Sequence, residues 1–441
     1  MSSTPSAAAG PAAGPALDAG ALDAGDPLGA YRSRFLGADD PAVPAYLDGN
    51  SLGRPLASLP ETFSTFVTEQ WGGRLIRGWD ESWLDLPTRL GDRLGRAVLG
   101  AAPGQTVVAD STTVSLYKLL RTALHARPGR SEIVIDRGNF PTDRFVVEGV
   151  AAETGARILW IETEQGSGAT LADAEAAIGA DTAVVVLSQI AYRSGYLADV
   201  PGITALAHER GALVLWDLCH SVASVPIELD AWGVDLATGC TYKYLNGGPG
   251  SPAFLYVSSA LLAQADARQP IWGWMGDNDP FAMAGEYVPA AGIRRFLSGT
   301  PPVVGMIAMQ EMLGLIEEVG IEAIRTKSLA LTDFAIALVD ERLAPFGVVL
   351  STPREHEVRG SHVTIDHPAF AGMMAELWAR GVIPDFRAPT GIRLGLSPLS
   401  TSFAEVEVTV EAIRGLLAEG AAAGAGSGAE AGSAVRSASG A

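Results

Sequence analysis

An acid, an imidazole and an amine stand at the ends of two apolar runs. Residues 212–216, Ala-Leu-Val-Leu-Trp, read as a buried strand that ends in Asp217, and His220 follows three residues on. A second run, 234–238, leads into Gly239-Cys240-Thr241-Tyr242-Lys243 and then the turn Asn246-Gly247-Gly248-Pro249-Gly250. In an open α/β sheet, ligands bind beyond the carboxyl ends of the strands, so both ends would address one ligand. A lysine amine forms a Schiff base with an aldehyde, and an acid at a pyridine nitrogen keeps that ring protonated as an electron sink. Pyridoxal 5′-phosphate needs this set of groups, and the set calls for no metal. Read instead as surface, Asp217 is a turn residue and Lys243 a solvated one, which leaves their succession on two strand ends unexplained.

Two further stretches could serve the same cofactor. Ser111-Thr112-Thr113 opens a helical pattern, and a helix start offers free backbone N–H groups and a favourable dipole to a phosphate. The same residues also suit an ordinary helix cap. Phe140 follows the apolar run 132–136, where a flat ring could stack on it. Trp79 and Trp83 are four residues apart, so on a helix they share a face; Trp79 reads as core.

Elements that would carry these residues alternate along the chain. Strands are expected at 132–136, 157–161, 183–188 and 212–216, and helices at 145–153, 171–178 and 200–210. Strands alternating with helices imply βαβ units and a mainly parallel sheet. A short strand precedes the turn Asp48-Gly49-Asn50-Ser51-Leu52-Gly53. Helices are expected at 60–71, 90–99, 306–319 and 326–342, and strands at 348–350, 361–365 and 391–396 fit a smaller α+β domain. The expected division is a disordered tail at 1–30, an N-terminal part of the small domain at 31–75, a large cofactor-binding domain at 76–300, the C-terminal small domain at 301–420 and a second disordered tail at 421–441.

The 441 residues suffice for two or three domains, and 48% are hydrophobic. A formal net charge of −19 argues against nucleic acid and against an anionic membrane surface. No apolar run approaches the roughly 18 residues of a membrane span. The first 30 residues lack the basic and apolar regions of a signal peptide. Two cysteines, Cys219 and Cys240, imply no disulfide framework, which suits a cytoplasmic location.

Over residues 46 to about 403 the chain resembles the kynureninases, in their bacterial form. The likeness is carried by YLDGNSLG, GWDESWLDLPTRLGDRL, NFPTD, AYRSGY, WDLCHS, GCTYKYLNGGPGSPAF, IRRFLSGTPP, TPREHEVRGSHV and IRLGLSPL. The resemblance implies a fold-type-I pyridoxal-phosphate enzyme, α/β, with a large domain built on a mainly parallel seven-stranded-type sheet and a smaller α+β domain. It implies Lys243 as the Schiff-base lysine, Tyr242 at the phosphate, Asp217 at the pyridine nitrogen, and His220, Phe140, Asp143, Ser188, Thr112 and Thr113 around the cofactor. Trp274 and Thr300 match residues that the partner of a homodimer sends to the phosphate, giving shared active sites. Arg393 matches the arginine that grips the substrate carboxylate, and Trp83 a residue that selects the substrate ring.

The activity so implied is hydrolytic Cβ–Cγ cleavage of L-kynurenine to anthranilate and L-alanine, in tryptophan breakdown, NAD biosynthesis or secondary metabolism. Tyr242 would relay a proton, and 3-hydroxykynurenine or another ring-substituted kynurenine would be a secondary substrate. Three positions depart from the family: Asp277 where a histidine is usual, Ser400 where a tyrosine is usual, and Cys219 where an alanine is usual. Cysteine desulfurases share the fold type but need a reactive cysteine on a mobile loop, whereas Cys219 and Cys240 flank the proposed cofactor strands.

Overall fold

The computed structural model describes residues 18–264, 267–283 and 285–436. Among these, twelve strands occur: β1 (Ala45–Leu47), β2 (Thr106–Val108), β3 (Glu132–Asp136), β4 (Arg157–Ile161), β5 (Thr182–Ser188), β6 (Leu213–Asp217), β7 (Leu236–Gly239), β8 (Phe254–Val257), β9 (Val349–Leu350), β10 (His362–Asp366), β11 (Val382–Arg387) and β12 (Gly391–Gly395). Seven of them form one sheet in the order β2-β8-β7-β6-β5-β3-β4. Only β8 runs against its neighbours; the remaining pairs are parallel. The chain passes from β3 to β4 on one side and returns to β5 on the other. The strand order therefore reverses beside β3, the place where ligands gather in such sheets.

Helices cover both faces, so the central strands are continuous apolar runs rather than alternating ones. Val134, Val185, Val214 and Trp216 point into a core shared with Leu90, Val98, Met306 and Met312. Their strand neighbours Ile133, Ile135, Val184, Leu213 and Leu215 point the other way, onto Leu116, Leu119 and Val150. The two-residue repeat of a strand makes this division. The helix Val303–Val319 packs into the first of these cores, and a separate core joins Ala19, Ala45 and Leu47 to residues from Leu331 onward.

That third core lies on a five-stranded sheet of order β1-β11-β12-β10-β9. β1 joins it in parallel to β11, and the other pairs are antiparallel. The N-terminal segment thus completes a sheet otherwise made by residues 349–395.

Both tail expectations are corrected where the chain is described. Regular structure is already present ahead of Tyr31: the helix Ala19–Ala24 has Asp18 as its cap, with the Ala21 N–H donating to Asp18 Oδ1 at 3.0 Å. Its Asp23 carboxylate accepts from the N–H groups of Phe403 and Ala404 at 2.8 and 3.0 Å, capping the helix Phe403–Arg436. Asp26 pairs with Lys327 at 2.6 Å, both buried. Ala- and Asp-rich composition looks solvated, but the acids here serve as caps and as a buried counter-ion. Residues 421–436 continue the last helix instead of forming a tail. Residues 1–17 and 437–441 lie outside the described residues. No described helix is long and apolar enough to cross a membrane.

Candidate active site

Three strand ends converge. Register pairs Ser188 of β5 with Asp217 of β6, and β7 runs beside β6 into the turn that carries Lys243. The turn is fixed from within and from outside. Asn246 takes a positive φ of 48° and its N–H donates to the Lys243 carbonyl at 3.0 Å. Asn246 Nδ2 donates to the Arg54 carbonyl at 2.7 Å, and the Gly53 N–H to the Tyr242 carbonyl at 2.9 Å. A Cβ on Gly53 would stand 2.4 Å from the Lys243 carbonyl oxygen, so only glycine allows this approach. The segment YLDGNSLG is therefore the wall that holds the lysine turn.

Lys243 is only 8% exposed. Its Nζ lies 3.3 Å from His220 Nε2 and 5.9 Å from the ring centroids of both Phe140 and Tyr242. His220 Nε2 also lies 3.4 Å from Arg393. Burial first, then the cations Lys243 and Arg393, hold the His220 imidazole well below its usual range. Facing two donors, Nε2 of a neutral ring must accept, which puts the ring proton on Nδ1.

The acids form a second cluster. Ser188 Oγ donates to Asn139 Oδ1 at 2.8 Å and lies 3.4 Å from Asp217 Oδ2, while the Cys219 N–H donates to Asp217 Oδ1 at 2.8 Å. Asp143 is fully buried beside Asp217. Burial and that neighbouring acid push its carboxyl well up. The Phe140 ring meets Tyr192 edge-on at 5.3 Å. Burial raises the Tyr242 phenol well above its usual range, and it stays protonated.

Arg393, on the central strand β12, is fully buried. It donates to the Tyr192 carbonyl at 2.6 Å and to Ser51 Oγ at 2.8 Å, and pairs with Asp385 at 2.7 Å. Its Nε has no hydrogen-bond partner. Burial draws the guanidinium down to about 10, still charged at neutral pH. A buried unpaired N–H beside a paired one suits an incoming carboxylate oxygen.

The remaining expected residues lie further out. Ser111 caps the helix Thr112–His125 through an acceptor bond from the Val114 N–H at 3.3 Å. The first-turn amides of Thr112 and Thr113 have no intrahelical acceptor, and Thr112 Oγ1 reaches Cys219 Sγ at 3.9 Å. Cap and anion-site readings are thus compatible. Trp274 is 40% exposed and meets Phe281 edge-on, and Thr300 is exposed. Trp83 packs with Phe66, Trp79 and Ile307, its ring 5.6 Å from Trp79. Trp83 and Thr300 line one cleft of about 400 Å³ with Trp71 and Pro301. The single chain does not bring Trp83, Trp274 or Thr300 into contact with Lys243 through any described bond.

Ser51, Asn139, Tyr192 and Asp385 were not singled out from sequence. The tracts GNSLG, NFPTD and AYRSGY were visible, but nothing in them says which side chain turns inward. The residues fit pyridoxal phosphate: one amine against a neutral imidazole, an acid pair at a strand end, a ring to stack on, and orphaned buried atoms at Asp143 Oδ2 and Asn139 Nδ2. Cys219 and Cys240 are free thiols, both buried, without the exposure a loop nucleophile needs.

A family model described as the kynureninase C-terminal domain matches residues 324–413. The chain is 43% identical to a kynureninase of Pseudomonas fluorescens over 408 residues, 90% of this chain and 94% of that one. It is 42% identical, with the same coverage, to a kynureninase of Burkholderia pseudomallei strain 1106a. Among solved structures it resembles a cysteine desulfurase from Thermococcus onnurineus NA1, with a TM-score of 0.73 at 17% identity, covering 85% of this chain and 95% of that one. A C-DES mutant with glycine covalently linked to its PLP cofactor gives 0.76 at 17% identity, covering 86% and 98%. At such identities these two speak to the fold alone.

Proposed function

The chain belongs to the kynureninase family, a pyridoxal-phosphate-dependent hydrolase cleaving L-kynurenine at Cβ–Cγ to anthranilate and L-alanine, and from that premise we propose how its residues divide the work. When bound, the cofactor supplies an aldehyde for the amino group and a ring that draws electrons from Cα. Lys243 would hold the cofactor, and its amine, once free, is placed to move the Cα proton. The neutral His220 Nε2 at 3.3 Å accepts from that amine, keeping it aimed. Asp217 would face the pyridine nitrogen, supported by Ser188 and by Asp143, whose carboxyl burial pushes up. Phe140 stacks on the ring, and the first-turn amides and hydroxyls of Thr112 and Thr113 hold the phosphate. Arg393 binds the α-carboxylate through its free Nε side, fixing which Cα bond faces the ring. Tyr242, kept protonated by burial, touches the phosphate and donates a proton toward the ketone oxygen.

Trp274 and Thr300 act from the partner of a homodimer, and Trp83 walls the substrate ring. Ring-substituted kynurenines such as 3-hydroxykynurenine are secondary substrates, and the protein works in the cytoplasm. The expected division at residues 75 and 300 remains part of this reading. The observation that carries the assignment is the contiguous group Lys243–His220–Arg393, at 3.3 and 3.4 Å, beside Phe140. Purified holoenzyme given L-kynurenine should release fluorescent anthranilate with equimolar alanine. Cofactor binding without anthranilate would contradict the reading, and a panel of ring-substituted kynurenines then ranks the secondary substrates.

A further inference from the structure

The arginine that faces the substrate is not held by the large sheet at all; its nearest charge lies on the neighbouring strand of the small one. Asp385 of β11 is the cross-strand partner of Arg393 of β12 in antiparallel register. The two side chains leave the same face of the sheet and meet at 2.7 Å. Asp385 also pairs with Arg387 at 2.9 Å, so one carboxylate sits between two guanidiniums. Arg393 is fully buried and Asp385 nearly so. Ser51 and the Tyr192 carbonyl engage the two terminal nitrogens of Arg393, leaving Nε as the orphan.

We propose that Asp385 is a positioning residue for the reaction: it aims the Arg393 guanidinium so that the Nε edge meets the α-carboxylate of the amino-acid substrate. This rests on Arg393 being the carboxylate-binding arginine. Asp385 lies between the two guanidiniums, and Asp48 is a further acid acting on Arg393. Without it, Arg387 and Arg393 repel across the strand pair, and a buried guanidinium with too few partners turns toward whatever acceptor it finds. The carboxylate then meets a misaimed fork, while groups that bind the aryl ring and the cofactor are untouched.

The test compares wild-type holoenzyme with Asp385→Asn and Asp385→Glu. Three quantities are read: KM and kcat for L-kynurenine, the competitive Ki of its decarboxylated analogue, which lacks the α-carboxylate, and the visible absorbance of lysine-bound cofactor. Asp385→Asn should raise KM about tenfold, the scale of one misplaced charged hydrogen bond, with a smaller change in kcat. The Ki of the decarboxylated analogue and the absorbance should not move, and Asp385→Glu, which keeps the charge, should recover part of the loss. An unchanged KM, or a KM that rises in step with the analogue Ki, overturns the proposal. Arg393→Lys separates the two layers. If it leaves KM unchanged, the reading of Arg393 itself fails; if it raises KM while Asp385→Asn does not, only the aiming role fails.

Discussion

The two halves of the candidate site differ in how they are held. The strand-end half, with Asp217, His220 and Lys243 buried and Ser188 half-buried, lies within one chain and is cross-braced by hydrogen bonds. The outer half, with Trp274 and Thr300, lies on the surface, where Trp71, Leu75, Ile76 and Val304 also expose apolar side chains. Groups that handle protons need fixed distances and low solvent access, and burial under a parallel sheet supplies both. Groups that close over a ligand from outside can be supplied later, by a second copy. On the proposed reading one chain would carry the inner wall of the site, and the exposed apolar surface around Trp274 and Thr300 is of the kind that marks an interface.

Substitutions should separate the halves by size of effect. Lys243→Ala should abolish turnover and the visible absorbance of the bound cofactor; measurable steady turnover would remove Lys243 from its role. Asp217→Asn should lower kcat about a hundredfold, the scale of one lost preorganised charge, with the fold intact by circular dichroism. A loss under threefold would mean the pyridine nitrogen is served elsewhere. Removing residues 1–30 should destabilise the enzyme by about 3–5 kcal/mol in denaturant titration, because Lys327 would stay buried without Asp26. Removing only 1–17 should change neither stability nor kcat. Equal effects would show that Asp18–Ala30 contribute nothing. Trp83→His should produce the smallest change, a shift of the kcat/KM ratio toward 3-hydroxykynurenine of less than about a hundredfold, since an apolar wall rejects an added hydroxyl only weakly. An unchanged ratio leaves Trp83 as packing with Phe66 and Trp79.

The inner half was legible because burial writes itself into composition. Val-, Ile- and Leu-rich runs such as those of β3, β5 and β6 lie within a residue or two of the expected strands, and β5 and β6 end in Ser188 and Asp217, the hydroxyl and acid of the proposed site. The small sheet was legible only in part. β11 carries Pro384 and Asp385, which break the apolar pattern, and its partner β1 lies far away in sequence. Asp385 could not be matched to Arg393 before the register was known. The helix Ala19–Ala24 was hidden because alanine, glycine and aspartate look alike in a tail and in a capped helix docked on another. Nothing in the spacing of Trp83, Trp274 and Thr300 could say whether they reach Lys243 within one chain.

That last question is open to one direct measurement. Lys243→Ala and Trp274→Ala, each expected to be inactive alone and assayed alone first, are unfolded, mixed, refolded with cofactor and assayed for anthranilate release. Two chains that share their sites rebuild one intact site in each hybrid dimer, so random pairing should return about a quarter of wild-type activity. No recovery in the mixture, together with a wild-type enzyme that sediments as an active monomer, would contradict a site built from two chains.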